Sequence, residues 1–325
     1  MQDLDPLDTR LLDEFQRDLP LVPRPFAAIG LHLGLTEAQV IDRLARLQAL
    51  GSVARVGATV RPNTAGASTL AALAAPEARL DAVAALVGAE PGVNHSYLRE
   101  DDWNLWFVAT APGRAELAAM LGRIKDATGL AVLDLPLVRA FNIDLGFRLT
   151  GARQPMTSAR AADPIALSDQ DRTLLHALSQ GLALVPRPFA ALGDEARVLD
   201  RIALLTRARI ITRLGVIVRH RALGYTANAM VVWDLPETRI EAAGQALAVH
   251  PGVTLCYQRR TVPGVWPYAL FSMIHATSRT AAQDVLTRAA ALPALAGAPH
   301  KALFSTRCFK QTGARISDTP ASEAA

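Results

Sequence analysis

The chain says the same thing twice. Leu21–Ala27 reads LVPRPFA and Leu184–Ala190 reads LVPRPFA again, and self-similarity at about half the chain length marks one domain set duplicated in tandem. The correspondence extends beyond this segment. SVARVGATVRP, with Arg55 and Gly57, matches IITRLGVIVRH, with Arg213 and Gly215. Pro91-Gly92-Val93 matches Pro251-Gly252-Val253, Tyr97 and Arg99 match Tyr257 and Arg259, and Arg139-Ala140-Phe141 matches Arg307-Cys308-Phe309. Thirty-one positions separate Arg24 from Arg55 but twenty-six separate Arg187 from Arg213, so the second copy has lost residues in between.

Each copy carries the same succession of patterns. In the first, DPLDTRLLDEFQRD places Leu7, Leu11, Leu12 and Phe15 on one helical face. Thr36 is a helix N-cap ahead of Val40, Ile41, Leu44, Leu47 and Leu50, with Gly51 as the stop. The alternating SVARVGATVRP predicts a two-stranded wing, which completes a winged helix-turn-helix. From Ser68 the texture changes to strand–helix–strand–strand–helix–strand, and the second copy repeats it from ANAMVVWDLP onward. That order predicts a ferredoxin-like βαββαβ unit. The expected fold is α+β, a tandem duplication of a winged helix-turn-helix plus a ferredoxin-like unit. Its expected domains are 1–62, 63–150, a polar linker 151–164, 165–222, 223–312 and a disordered tail 313–325.

With 325 residues and 50% hydrophobic content, several cored domains are within reach and a disordered chain is excluded. Charges such as Asp3, Asp5, Asp8 and Arg10 interrupt the first apolar run, and no uncharged stretch is long enough to span a bilayer, so a cytoplasmic location without membrane contact is expected. Cys256 and Cys308 lack metal or redox spacing; they read as buried, inert thiols, and no metal site is expected. A net charge of +4 admits either nucleic acid or an anionic small molecule as partner.

Arg24 and Arg187 each sit between two prolines, which stiffen the backbone under a five-donor guanidinium. They read as an anion or domain-interface site, or as a rigid loop whose Arg pairs locally. In VNHSYLRED, His95, Tyr97 and Arg99 share one strand face, while Asn94, Ser96 and Glu100 take the other. The equivalent face in the second copy carries Leu255, Tyr257 and Arg259, with Arg260 pointing away. His95 therefore does not recur. His275 ends YALFSMIHA, in phase with Phe271 and Met273, and reads as a core group or a ligand; His32, His176, His220, His250 and His300 read as structural or solvent-facing. Arg139 with Phe141 and Arg307 with Phe309 can hold a flat anionic ring or form core-edge salt bridges. Trp103, Trp106, Trp266 and Tyr268 add planar apolar surface.

The duplicated architecture resembles the Lrp/AsnC regulators. Within it, VPRPF, HSYLRE followed by NLWF, CYQRR followed by ALFSMIHA, and FSTRCFKQ resemble the siroheme decarboxylases, here as the fused form of two related subunits, from about Leu4 to Thr312. The resemblance implies siroheme as substrate and loss of CO₂ from two acetates, giving 12,18-didecarboxysiroheme on the way to haem d1 or alternative haem. It implies no added cofactor, since iron enters with the substrate. On this reading the catalytic candidates are His95, Tyr97 and His275: His95 or Tyr97 supplies the proton, or His95 or His275 ligates the iron. Arg24, Arg99, Arg187, Arg259 and Arg260 clamp the carboxylates that stay, with Tyr257, Trp106, Arg139 and Arg307 completing the binding surface. The two halves are expected to pair, with a further homo-oligomer open and the two sites unequal. The competing classes are a DNA-binding regulator, with Thr36, Glu37, Gln39, Asp42, Arg43 and Arg46 along a recognition helix, and a non-catalytic tetrapyrrole carrier. Two acidic residues on that helix and the shortened second copy speak against DNA.

Overall fold

The computed structural model describes residues 4–142, 162–163 and 165–316. Nearly all of the 151–164 segment and residues 317–325 of the expected tail lie outside it. The N-terminal part of the first copy forms three helices. Helix α1 (Pro6–Glu14) starts on Asp5, whose carboxylate accepts from the Asp8 amide at 2.8 Å, with proline at the first position. Helix α2 (Pro25–Leu33) grows directly out of the VPRPF segment and stops at Gly34, in the left-handed region with φ 74°. Helix α3 (Glu37–Ala49) opens with a reciprocal Thr36/Gln39 capping box and buries Val40, Leu44 and Leu47. In the second copy, α6 (Asp169–Gln180) and α7 (Glu195–Arg207) repeat α1 and α3, but the lost residues leave only a 3₁₀ turn over Ala190–Leu192 in place of α2.

The expected two-stranded wing within each copy is not what forms. Each copy supplies one strand, β1 (Val53–Val60) and β6 (Ile211–Val218), and these pair antiparallel with each other, Gly57 opposite Gly215. No turn doubles either strand back, so its hydrogen-bonding edge is met by its own duplicate. The first helices also reach across: the Phe15–Leu19 segment that ends α1 runs along β6, where the Val216 amide donates to the Phe15 carbonyl at 2.8 Å, and α6 packs on β1, with the Leu182 amide donating to the Val56 carbonyl at 2.7 Å. A single apolar core, including Leu12, Phe26, Leu44, Leu178, Phe189 and Ile202, therefore runs through both copies.

The remaining strands are β2 (Ala67–Leu73), β3 (Val93–Arg99), β4 (Leu105–Ala111), β5 (Val132–Asn142), β7 (Ala227–Trp233), β8 (Val253–Arg259), β9 (Leu270–Ala276) and β10 (His300–Gln311). Helices α4 (Leu80–Ala89) and α5 (Arg114–Thr128) belong to the first unit, α8 (Glu237–Val249) and α9 (Arg279–Ala290) to the second. Each unit has the ferredoxin-like strand order, β3-β4-β2-β5 and β8-β9-β7-β10, and the two units join edge to edge at β5–β8 and β10–β3 into a closed eight-stranded barrel. Closure removes every free edge. Helices cover the outside over two apolar clusters, and Trp106, Trp266, Phe271, Met230 and Leu303 fill the inside.

Two expectations need correction here. Cys256 is buried, but Cys308 is exposed on β10. Residues 313–316, expected to begin a disordered tail, pack back on α6: Ser179 Oγ donates to the Ala314 carbonyl at 2.8 Å, and Ile316 is buried.

Candidate functional site

A cavity of about 360 Å³ lies between one mouth of the barrel and the β1–β6 ribbon, lined by both copies. Its walls come from β3 and β8. Both strands carry a bulge at the same place, between Val93 and His95 and between Val253 and Leu255. The bulge resets the alternation. Val93 faces the helices, whereas His95, Tyr97 and Arg99 line the cavity, as do Leu255, Tyr257 and Arg259. Asn94, assigned to the opposite face by simple alternation, also reaches the cavity at the bulge.

The two arginines are held alike. Arg99 Nη1 donates to the Leu303 carbonyl at 3.0 Å and Arg259 Nη1 to the Leu135 carbonyl at 2.9 Å, each across the seam into the other copy. Arg99 lies over the Tyr97 ring and Arg259 over the Tyr257 ring, at 5.5 and 5.3 Å. Burial lowers both guanidiniums to about 10, so they remain charged at neutral pH. Neither has a carboxylate within ion-pair distance among the described residues, and the Nε of Arg259 has no hydrogen-bond partner there. Arg61 adds a third guanidinium to the lining, and among the described residues no Asp or Glu lines the cavity. Buried charge without a counter-ion is costly. A site built this way is complementary to an anion, and the arginine fork suits carboxylates.

Three histidines share the cavity. His95 Nδ1 lies 3.2 Å from the Tyr97 hydroxyl. His275, 8% exposed, meets His220 ring to ring at 4.5 Å. Burial, then Arg55 and His220, lower His95 to about 4; burial, then Arg221 and Arg99, lower His220 to about 4. Burial raises Tyr97 to about 12 and raises Tyr257 further, so both phenols stay protonated donors. Because the unfolded chain protonates these histidines at higher pH than the folded one, their contribution to stability is full above about 6.5 and is lost as pH falls toward 4. The melting temperature should fall across that window, and a His95→Phe/His220→Phe chain should show a shallower fall. An equal slope in both chains would contradict this.

The cavity thus gathers His95, Tyr97, Arg99, Trp106, Tyr257, Arg259 and His275. Five arginines do not belong to it. Arg24 and Arg187 are exposed and pair with Glu37 and Glu195 at the starts of α3 and α7. The proline-flanked loops therefore present their cations to neighbouring helix starts instead of the barrel. Arg139 lies over Phe141 and pairs with Glu241, and Arg307 lies over Phe309 and pairs with Asp81, all on the helix-covered outside. Arg260 is exposed beyond the end of β8. Sequence reasoning missed His220, Arg61 and Asn228. His220 follows β6 and enters the cavity because the ribbon caps the barrel; the alternation of ANAMVVW that puts Asn228 in phase with Met230 was its only local signal. On the proposed recognition helix, Arg43 and Arg46 are tied to the buried Asp8, and Gln39 is used in the cap, which removes the phosphate-facing cations.

Comparison with known proteins follows the same lines. The AsnC-like ligand binding domain family matches residues 65–142 and 222–310, and the siroheme decarboxylase NirDL-like HTH domain family matches residues 8–53. The chain is 66% identical to the siroheme decarboxylase NirDL subunit of Paracoccus denitrificans (strain Pd 1222), over 98% of this chain and 99% of that one. A crystal structure of the siroheme decarboxylase NirDL aligns with a TM-score of 0.68 at 27% identity, covering 96% of this chain and 94% of the other. A second, in co-complex with an iron-uroporphyrin III analogue, aligns at 0.66 and 26% identity over 95% and 94%.

Proposed function

This chain belongs to the siroheme decarboxylase family, and from that premise we infer that it is a carboxy-lyase converting siroheme to 12,18-didecarboxysiroheme toward haem d1. The observation that carries the assignment of the site is the pair of guanidiniums, that of buried Arg99 and that of half-buried Arg259, which face one cavity from the two copies with no carboxylate partner among the described residues. The substrate is a flat ring bearing many carboxylates. An ion pair on the departing carboxylate would stabilise the ground state, so the arginines hold acetates and propionates that stay, and remote binding energy supports the reaction. The reacting acetate lies against the apolar lining near Trp106, Phe271 and Met273. Its C–CO₂ bond breaks, the electron pair remains on the methylene carbon in conjugation with the macrocycle, and a proton converts that carbon to a methyl group.

Burial, with the surrounding cations, keeps His95 neutral. Arrival of a polyanion reverses the local potential and favours the imidazolium, so the substrate itself charges its acid. His95 beside Tyr97 and, from the second copy, His275 are the two proton donors. No organic cofactor enters this scheme, and the iron comes with the substrate. No helix among the described residues is long and apolar enough to cross a membrane, and a cytoplasmic enzyme, alone or assembled with further subunits, fits this reading. Anaerobic incubation with siroheme followed by mass spectrometry should show product lighter by two CO₂, with an Arg24→Ala/Arg187→Ala chain giving the same yield. Siroheme recovered intact would defeat the reading.

A further inference from the structure

Asn228, 5% exposed on β7, joins the chemistry of the two copies. Arg99 Nη1 donates to Asn228 Oδ1 at 3.3 Å, and Asn228 Nδ2 lies 2.8 Å from His275 Nε2. On the other side of the ring, His275 Nδ1 lies 2.8 Å from Thr254 Oγ1, which donates to the Met273 carbonyl at 3.0 Å. The ends of this chain fix its polarity. A guanidinium can only donate and a carbonyl can only accept. Arg99 therefore claims the amide oxygen of Asn228 and leaves the NH₂ for the imidazole, so Nε2 must accept. Thr254 spends its one hydrogen on Met273, so its oxygen must accept from Nδ1–H. Both ends require the same neutral tautomer.

The first copy has no such device. Position by position, Ser68, Asn94 and Thr110 stand where the second copy has Asn228, Thr254 and His275. Asn94 Nδ2 donates to Thr110 Oγ1 at 3.1 Å, and Ser68 Oγ turns to Asn63 Oδ1. Among the described residues Arg259, the counterpart of Arg99, thus reaches no side-chain amide or imidazole. The similar scaffold carries an arginine–amide–imidazole relay on one side only.

We propose that Asn228 is a positioning residue for the reaction: it sets His275 in the Nδ1–H tautomer and ties the ring to Arg99 across the boundary between the copies. Its link to turnover rests on the decarboxylase reading; the tautomer does not. Around the imidazole, Thr254 comes from β8, Asn228 from β7 with Arg99 behind it, and the His220 ring from the segment after β6. A carboxylate that engages Arg99 competes with the Asn228 oxygen for the same guanidinium nitrogen, so substrate binding and the state of Nε2 are coupled.

The test uses the full chain with ¹⁵N-labelled histidine, the His275 signals being assigned by their loss in His275→Gln. Wild type should show the Nδ1–H pattern. Asn228→Asp can only accept, so the ring should change to the Nε2–H or doubly protonated pattern, and Asn228→Leu should give a mixture. With siroheme, Asn228→Leu should lower kcat roughly tenfold to hundredfold, as misplacement of a reacting group does, with KM changed much less. Wild-type Nε2–H at His275, or an unchanged pattern in Asn228→Asp, overturns the tautomer assignment. Wild-type kcat in Asn228→Leu overturns the positioning role. If wild type itself leaves siroheme intact, the functional reading falls while the spectra still decide the tautomer.

Discussion

Arg259→Met should give a chain that is harder to unfold and almost unable to turn over siroheme. The two effects have one cause. Arg259 is half-buried, and among the described residues its guanidinium has one hydrogen-bond partner, the Leu135 carbonyl, and a buried Nε with none, so its desolvation is only partly offset until an anion arrives. Replacing buried ions by apolar groups of similar size is often stabilising by about 1–4 kcal/mol, and the lower end suits a site that also loses one hydrogen bond to Leu135. Truncating one partner of a buried, hydrogen-bonded charge pair costs about 2–5 kcal/mol of binding, which corresponds to a loss in kcat/KM of roughly 30-fold to 3,000-fold at 1.4 kcal/mol per decade. Urea midpoints and kcat/KM, measured on one preparation, read both quantities. Arg259→Lys separates charge from fork: it should bind siroheme better than Met but well below wild type, because an ammonium lacks the planar bidentate geometry. Wild-type kcat/KM in the Met chain would remove Arg259 from the site.

The same two strands show how far a sequence can be read and where it stops. Duplication, cap residues and apolar period are local, so α1, α3 and the two βαββαβ units could be read directly from LVPRPFA, Thr36 and the alternating runs, whereas α2, which grows out of the VPRPF segment, was not read. Tyr97 with Arg99 and Tyr257 with Arg259 were legible because both members of each pair lie beyond the bulge and keep their phase. What a single strand pairs with is not local. SVARVGATVRP looks the same whether it folds into a wing or meets its duplicate, and only the absence of a turn decides. The arginines failed for a related reason. Recurrence of Arg24/Arg187 and Arg139/Arg307 showed that both copies need them, but an ion pair to a nearby glutamate or aspartate repeats as faithfully as a substrate contact. Burial, which separates Arg99 and Arg259 from those four, is set by barrel closure.

Gly215→Ala should be among the most destabilising single-methyl changes in the chain. Gly57 and Gly215 face each other in the ribbon; Gly215 touches the backbone just past α1, and Gly57 that of the C-terminal end of α6. A Cβ on Gly215 would fall inside contact distance of the Gln16 and Phe15 carbonyl oxygens, and one on Gly57 would do the same at the Leu178 carbonyl and the Gly181 Cα. These are main-chain atoms with no rotamer to change. They are also pinned: the Val216 amide donates to Phe15 and the Leu19 amide to the Leu214 carbonyl, at 2.8 and 3.1 Å. Relief would require the Phe15–Leu19 segment to lift from β6, breaking both bonds and opening the core shared by the copies. Overpacking in such a place costs about 3 kcal/mol, and similar damage is expected from Gly57→Ala. Gly122→Ala is the control. It lies within α5, nothing stands within 4 Å of its added Cβ, and the gain in helix propensity should stabilise by roughly 0.5–1 kcal/mol. Thermal and urea melts of the three chains should therefore move in opposite directions. A Gly215→Ala chain melting with wild type would mean that this segment does not rest on β6, and the reach of the first helices across the copies would have to be abandoned.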